Sequence, residues 1–181
     1  MLSACVLLAE GFEEIEAVTV LDVLRRADID AKAVGVTATS VTGSHGIVLQ
    51  ADFSLQDALS RPWDLVVLPG GIPGATHLRD HAGVQELIRA QAGKGKRLAA
   101  ICAAPIALAT AGVLQGKRVT SYPSFRDQLG DVVYLEDAVV VDQHITTSRG
   151  PATALAFALE LVSQLRGPAI ATKVTADTLA T

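Results

Sequence analysis

The run LAAICAAPIALATAGVL, residues 98–114, determines the fold class of this chain. It carries no charge and approaches the lower limit for a bilayer span, in a chain whose mean hydropathy is +0.38. Pro105 and Gly112 interrupt it, however, and much of it is Ala, which is barely hydrophobic. A buried strand over Leu98–Ile101 passing directly into a helix over Ala104–Ala111 accounts for it better than a membrane span. Cys102 then sits at the junction between strand end and helix start.

Outward from this run, short apolar stretches alternate with amphipathic ones. Ala4–Leu8, Ala31–Val36, Leu65–Leu68, Arg118–Ser121 and Val139–Val141 read as strands. Between them, Glu13–Ala27 reads as a helix with Ile15, Val18, Leu21 and Leu24 as its inward stripe. Val84–Ala92 and Pro151–Leu165 read as further helices, with Pro151 in the first turn. Thr39–Asp52 reads as a hairpin, turning near Gly43 and Gly46. Strands alternating with helices at these intervals predict a mostly parallel sheet with helices on both faces, as one domain over residues 1–181.

Composition narrows the function. Half of the 181 residues are apolar, 4% are aromatic and 19% charged, and 15 Lys+Arg against 19 Asp+Glu give a net charge of −4. That is no footprint for nucleic acid. Met1–Ala9 has no basic region before its apolar residues, and Glu10, Glu13, Glu14 and Glu16 follow at once, so no secretory signal is read and a cytoplasmic location is expected. Two cysteines make no disulfide framework. Without CxxC, HExxH or paired histidine spacing, no metal site is expected. Neither GxGxxG nor GxxxxGK[ST] occurs, which leaves a nucleotide site unsupported.

Ligand sites of open α/β sheets lie at the carboxyl ends of strands, and three such ends carry unusual residues: Glu10–Glu16, Pro69–Gly74 and Ala99–Pro105. Cys102 on a strand-to-helix turn has the geometry of a nucleophile elbow, with a helix N-terminus to lower its pKa and the Ala103 N–H directed at the same point. The other reading is one more small apolar residue in an Ala-rich core. Gly70 and Gly71 let backbone amides approach a ligand as in an oxyanion site, or simply form a turn. Glu16 lies beside the inward stripe through Ile15. A carboxyl buried next to a thiol would be protonated and could donate a hydrogen bond to the thiolate.

Taken together, the motifs LAEGFEEIEAV, DVLRRA, VVLPGG, AAICAAP and TSRGPATA, in this order, resemble the ThiJ/PfpI superfamily, and most its subgroup of YajL and parkinsonism-associated deglycases. The resemblance runs from about Val6 to Val174. It implies a flavodoxin-like three-layer sandwich of the class I glutamine amidotransferase-like type, usually a homodimer. It also implies Cys102 as nucleophile, Glu16 as the protonated partner, and Gly70, Gly71 and Ala103 in the loop and amides beside the cysteine. Arg26 corresponds to an arginine near the dimer interface and His45 to a hairpin position where an arginine can reach the pocket. Ser148 and Arg149 correspond to a segment near the pocket. Activity on glyoxals such as methylglyoxal and on early glycation adducts is implied, with no metal, glutathione or nucleotide. The alternative is a redox sensor or stress chaperone whose cysteine is oxidised to a sulfinate. Two positions depart from relatives of this kind: Ala103 stands where protease-like members have a His, which argues against peptidase chemistry, and Tyr122 stands where deglycase-like members have a second His.

Overall fold

Leu65–Leu68 is buried along its whole length, as a central strand covered on both faces must be. The computed structural model describes residues 1–180. In chain order the strands are β1 (Ser3–Leu8), β2 (Asp30–Gly35), β3 (Ser40–Thr42), β4 (Val48–Gln50), β5 (Phe53–Ser54), β6 (Leu65–Leu68), β7 (Arg97–Ile101), β8 (Arg118–Val119), β9 (Val133–Tyr134), β10 (Val139–Asp142) and β11 (Ile145–Ser148). The helices are α1 (Glu14–Arg26), α2 (Leu55–Leu59), α3 (Gly74–Asp80), α4 (Ala82–Gly93), α5 (Pro105–Thr110), α6 (Ala154–Arg166) and α7 (Pro168–Asp177).

The main sheet has the order β10-β11-β7-β6-β1-β2-β5. All its pairings are parallel except β10 with β11. Successive strand residues alternate between two cores, as the twofold period of a strand dictates. Cys5, Leu7, Val66, Leu68, Leu98 and Ala100 pack with residues of α3, α4 and α5 on one face. Ala4, Val6, Leu8, Val67, Ala99 and Ile101 pack with α1 and α6 on the other. This is the α/β sandwich the sequence predicts, with the antiparallel β3–β4 hairpin beside it. The chain leaves β1 toward β2 and β5, then returns to place β6 on the opposite side of β1. The switch point between β1 and β6 opens a crevice at their carboxyl ends.

Several expectations are corrected. Ile15 and Val18 do not face inward; they are 56% and 43% exposed, and the buried face of α1 carries Glu16, Ala17, Val20, Leu21 and Leu24. Both stripes have helical spacing, and packing on the sheet and α6 selects the one with smaller residues. Arg118–Ser121 shortens to β8, which pairs with β9 outside the main sheet. Thr120 and Ser121 are buried, but the Thr120 N–H donates to Thr147 Oγ1 (2.9 Å) rather than to a strand ladder. The helix expected from Pro151 begins as a 3-10 turn over Pro151–Thr153 before α6. Among the described residues no helix is long and apolar enough to cross a membrane. The uncharged run 98–114 resolves into β7, the Cys102 turn and α5.

Candidate active site at the β1–β6 switch point

Cys102 follows β7 with φ of +62°, in the left-handed region that non-glycine residues rarely occupy. Such a conformation costs on the order of 1–3 kcal/mol and persists where the surroundings over-determine it. Here they do. The Cys102 N–H donates to the Ser148 carbonyl at the end of β11 and the Tyr122 N–H donates to the Cys102 carbonyl, both at 2.9 Å. The half-buried side chain touches both cores.

The loop after β6 supplies the floor. A Cβ on Gly70 would lie 2.7 Å from Cys102 Cβ, 2.8 Å from Glu16 Oε2 and 3.0 Å from the Ile101 carbonyl, so only glycine lets the three segments meet. Gly71 has φ of +88°, and a Cβ there would collide with the backbone of Gly11, Phe12 and Glu13. The Glu13 N–H donates to the Gly70 carbonyl (2.9 Å), which ties the entry of α1 to this loop.

Glu16 projects from the buried face of α1 into the same point. The Gly70 N–H donates to its Oε2 at 2.7 Å. Glu16 and Cys102 are close enough to shift one another, yet among the described residues Oε1 is buried without a well-directed partner. Burial pushes the Glu16 carboxyl up to about 7; the Glu13 charge adds to this, while the Gly70 N–H and the thiol oppose it. Burial, then the Glu16 charge and hydrogen bond, push the Cys102 thiol up to about 12, against the Ala103 and Gly71 N–H groups. The expectation of a thiol lowered outright by a helix terminus is therefore corrected, since α5 is a short helix and burial dominates. Protonating Glu16 reverses two of the three raising causes: its charge disappears and it becomes a donor to sulfur. Thiol and carboxyl thus compete for one proton. Cys5 is enclosed in the core, where burial raises its pKa with nothing to oppose it, and it is an inert thiol by comparison.

The structure gathers Cys102, Glu16, Gly70, Gly71 and Ala103 around this point. Ser148 is buried beneath Cys102, and its hydroxyl donates to the Ala138 carbonyl at 2.7 Å. Tyr122 and Arg149 line an adjoining cleft of about 260 Å³ with Pro123 and Gly150–Thr153, and the Arg149 guanidinium donates to the Glu136 carbonyl. His45 does not turn to the thiol; its ring lies 2.9 Å from Glu14 Oε2. Arg26 is exposed and paired with Asp22 at 2.7 Å, about 15 Å along α1 from Glu16 at the helical rise. The sequence offers Gly70 with Gly71 as a candidate amide donor to a ligand; in the fold its N–H donates to Glu16 instead, and its closeness to both reactive side chains has no local signal. Glu13 and Glu14 stand in the acidic turn Glu10–Glu16 with no local signal of a shared partner, and the hairpin gathers both.

A profile of the DJ-1/PfpI family matches residues 2–164. "Protein dj-1beta" of Drosophila melanogaster is 44% identical over 168 residues, 91% of this chain and 90% of that protein. "Glutathione-independent glyoxalase DJR-1.2" of Caenorhabditis elegans is 36% identical over 169 residues, covering 92% and 90%. The crystal structure of Drosophila melanogaster DJ-1beta superposes with a TM-score of 0.97 at 41% identity, over 99% of this chain and 98% of that one.

Proposed function

This chain belongs to the DJ-1/PfpI family, and from that membership we propose that it is a cysteine-dependent, cofactor-independent glyoxalase that also acts on early glycation adducts. The observation that carries the reading is the buried Glu16 carboxyl, held by the Gly70 N–H against Cys102 on its strained turn. A relative that bears the name of a glutathione-independent glyoxalase supports the reaction class.

With methylglyoxal as substrate, Cys102 sulfur forms a bond to the aldehyde carbon. The Gly71 and Ala103 N–H groups hold the developing oxyanion until it takes the thiol proton, giving a hemithioacetal. Glu16 as carboxylate removes the hydrogen from that carbon, and the electron pair passes into an enediol. Returning the proton to the neighbouring carbon oxidises the first carbon, reduces the second and leaves a lactoyl thioester. Water then breaks the C–S bond, releasing lactate and the thiol, so no external oxidant or reductant is required. A carboxyl near 7 is suited to both taking and giving this proton around neutrality. Lactate formation without glutathione tests the reading: wild type turns over and Cys102→Ser does not, and equal rates would refute it.

A second reading is favoured by the difference in exposure between the half-buried Cys102 and the enclosed Cys5: reversible oxidation of Cys102 as a stress sensor, its oxygens received by the same amides. Mass spectrometry after mild peroxide should find Cys102 modified first. Oxidation of Cys5 with Cys102 intact would exclude it. In either case the exposed apolar residues Ile15 and Val18 of α1, with Ile47 and Val48 of the hairpin, suit a homodimer face, in a reducing, cytoplasmic setting.

A further inference from the structure

Thr153 stands at the N-cap of α6, yet its side chain makes no bond to that helix. An N-cap Thr ordinarily has extended backbone, from which its hydroxyl oxygen accepts an N–H of the first turn. Here φ is −98° and ψ is 2°, and the hydroxyl turns back to the segment that follows β11. Its Oγ1 lies 2.6 Å from Ser148 Oγ, 2.9 Å from the Gly150 carbonyl oxygen and 3.1 Å from the Gly150 nitrogen. Proton counting sets the direction of these bonds. Ser148 Oγ gives its single proton to the Ala138 carbonyl at 2.7 Å. The Gly150 carbonyl already accepts the Thr153 N–H at 2.9 Å. The Thr153 proton therefore goes to Ser148 Oγ, and Thr153 Oγ1 receives the Gly150 N–H.

Cys102 hangs on this network. Its N–H donates to the Ser148 carbonyl at 2.9 Å, one residue beyond the paired register of β7 with β11. That bond and the one from the Tyr122 N–H to the Cys102 carbonyl are what hold its φ at +62°. Both lead into the cleft of about 260 Å³ described above, since Tyr122 and Pro123 line one side of it and Arg149–Thr153 the other. A Cβ on Gly150 would stand 3.4 Å from the Tyr122 ring, so the two walls meet at that glycine. Ser148 and Gly150 are buried. Without the Thr153 hydroxyl, a Gly150 N–H and a lone pair on Ser148 Oγ would be left unpaired in the interior, which the segment can relieve only by moving.

We infer that Thr153 is a positioning residue for Cys102: its hydroxyl, withheld from capping α6, locks through Ser148 and Gly150 the segment whose carbonyl holds the Cys102 N–H. When the hydroxyl is removed, the left-handed turn of Cys102 is held from the Tyr122 side alone. The strain in that turn then relaxes, and the sulfur moves away from the Ala103 and Gly71 N–H groups that favour its thiolate. The role rests on Cys102 being the reactive group, as proposed above, and is independent of which reaction the thiol performs. The chain gives no local sign of it, because a Thr just before an apolar helix reads simply as a cap.

Alkylation of Cys102 by iodoacetamide, followed by mass spectrometry as a function of pH, tests this in wild type, Thr153→Val and Thr153→Ser. Val keeps the shape of Thr without its hydroxyl, and Ser restores the hydroxyl. Cys5 is enclosed in the core and should stay unlabelled in every folded protein. Thr153→Val should react about tenfold more slowly than wild type near neutrality, with its profile displaced to higher pH, and Thr153→Ser should restore both. Methylglyoxal turnover should follow in kcat rather than in KM. Ser148→Ala cuts the relay at its middle while keeping the carbonyl; it should shift the profile in the same way and decides the matter if Thr153→Val does not fold. A folded Thr153→Val protein with the wild-type alkylation profile overturns the inference, whatever its stability, and so does a Thr153→Ser protein that fails to recover. The expected alkylation pattern with no turnover in any of the proteins overturns the glyoxalase reading and leaves the role of Thr153 standing, whereas a wild-type Cys102 that is not alkylated overturns both.

Discussion

Gly70→Ala is a sharp perturbation of the candidate site because it adds one methyl group where the reactive side chains meet. The new Cβ would stand 2.7 Å from Cys102 Cβ and 2.8 Å from Glu16 Oε2. Carbon atoms settle about 3.5–4.0 Å apart, so the overlap is about 1 Å and cannot be relieved toward the Ile101 carbonyl, 3.0 Å away. The φ of Gly70 lies outside the left-handed region, so the backbone accepts alanine and the effect is steric. If the loop recoils by the overlap, the bond from the Gly70 N–H to Glu16, now 2.7 Å, stretches past hydrogen-bonding range. Overpacking of this kind costs about 1–3 kcal/mol of stability. Misplacing a catalytic constellation by about 1 Å costs on the order of 10²-fold in rate. Urea unfolding and glutathione-free methylglyoxal turnover should therefore separate, with a modest stability loss and a turnover loss near 10²-fold. Gly93→Ala is the control, since a Cβ there meets nothing within 4 Å, and it should leave both unchanged. A folded Gly70→Ala protein with wild-type stability and turnover would refute the claim that this glycine seats the Glu16–Cys102 pair.

Two further outcomes follow from the geometry. Glu16 is raised from 4.5 to about 7 in the fold, so its contribution to stability is fully present below pH 4.5 and is lost as pH rises through 7; relative to Glu16→Gln, wild type should lose about 3 kcal/mol across that window, and parallel urea midpoints for the two proteins at every pH would contradict it. Ile15→Asp places a charge on the exposed apolar face without touching the core and should convert a wild-type dimer to folded monomer in sedimentation, an outcome that a dimeric variant or a monomeric wild type would negate.

What the sequence discloses and what it hides divide along physical lines. β1, β6 and β7 are legible because strands buried on both faces must be continuous apolar runs, and their carboxyl ends are legible with them. Cys102 is legible as a junction residue for the same reason. The facing of α1 is not, because Ile15 and Val18 form a stripe as regular as Ala17, Val20 and Leu24, and only the crowding of the sheet and α6 decides between them. β11 is hidden by Thr146 and Thr147, which are polar in the chain yet buried beside β7 in the fold.

Glu16 shows most clearly how local and global information differ. Periodicity alone reads a carboxyl on the buried face of a helix as a conflict, because burying it raises the cost of its charge. The conflict is resolved by topology. The chain reverses direction across the sheet at β1 and β6, so the loop after β6 lies against the first turns of α1. There Gly70 can offer an N–H at 2.7 Å because it has no side chain to hold the two apart. A carboxyl in that position is half satisfied: one oxygen has its donor and the other has none. The unsatisfied oxygen next to a thiol is the point at which a proton can pass between the two. The residue that most violates the local pattern is therefore the one on which the proposed chemistry depends.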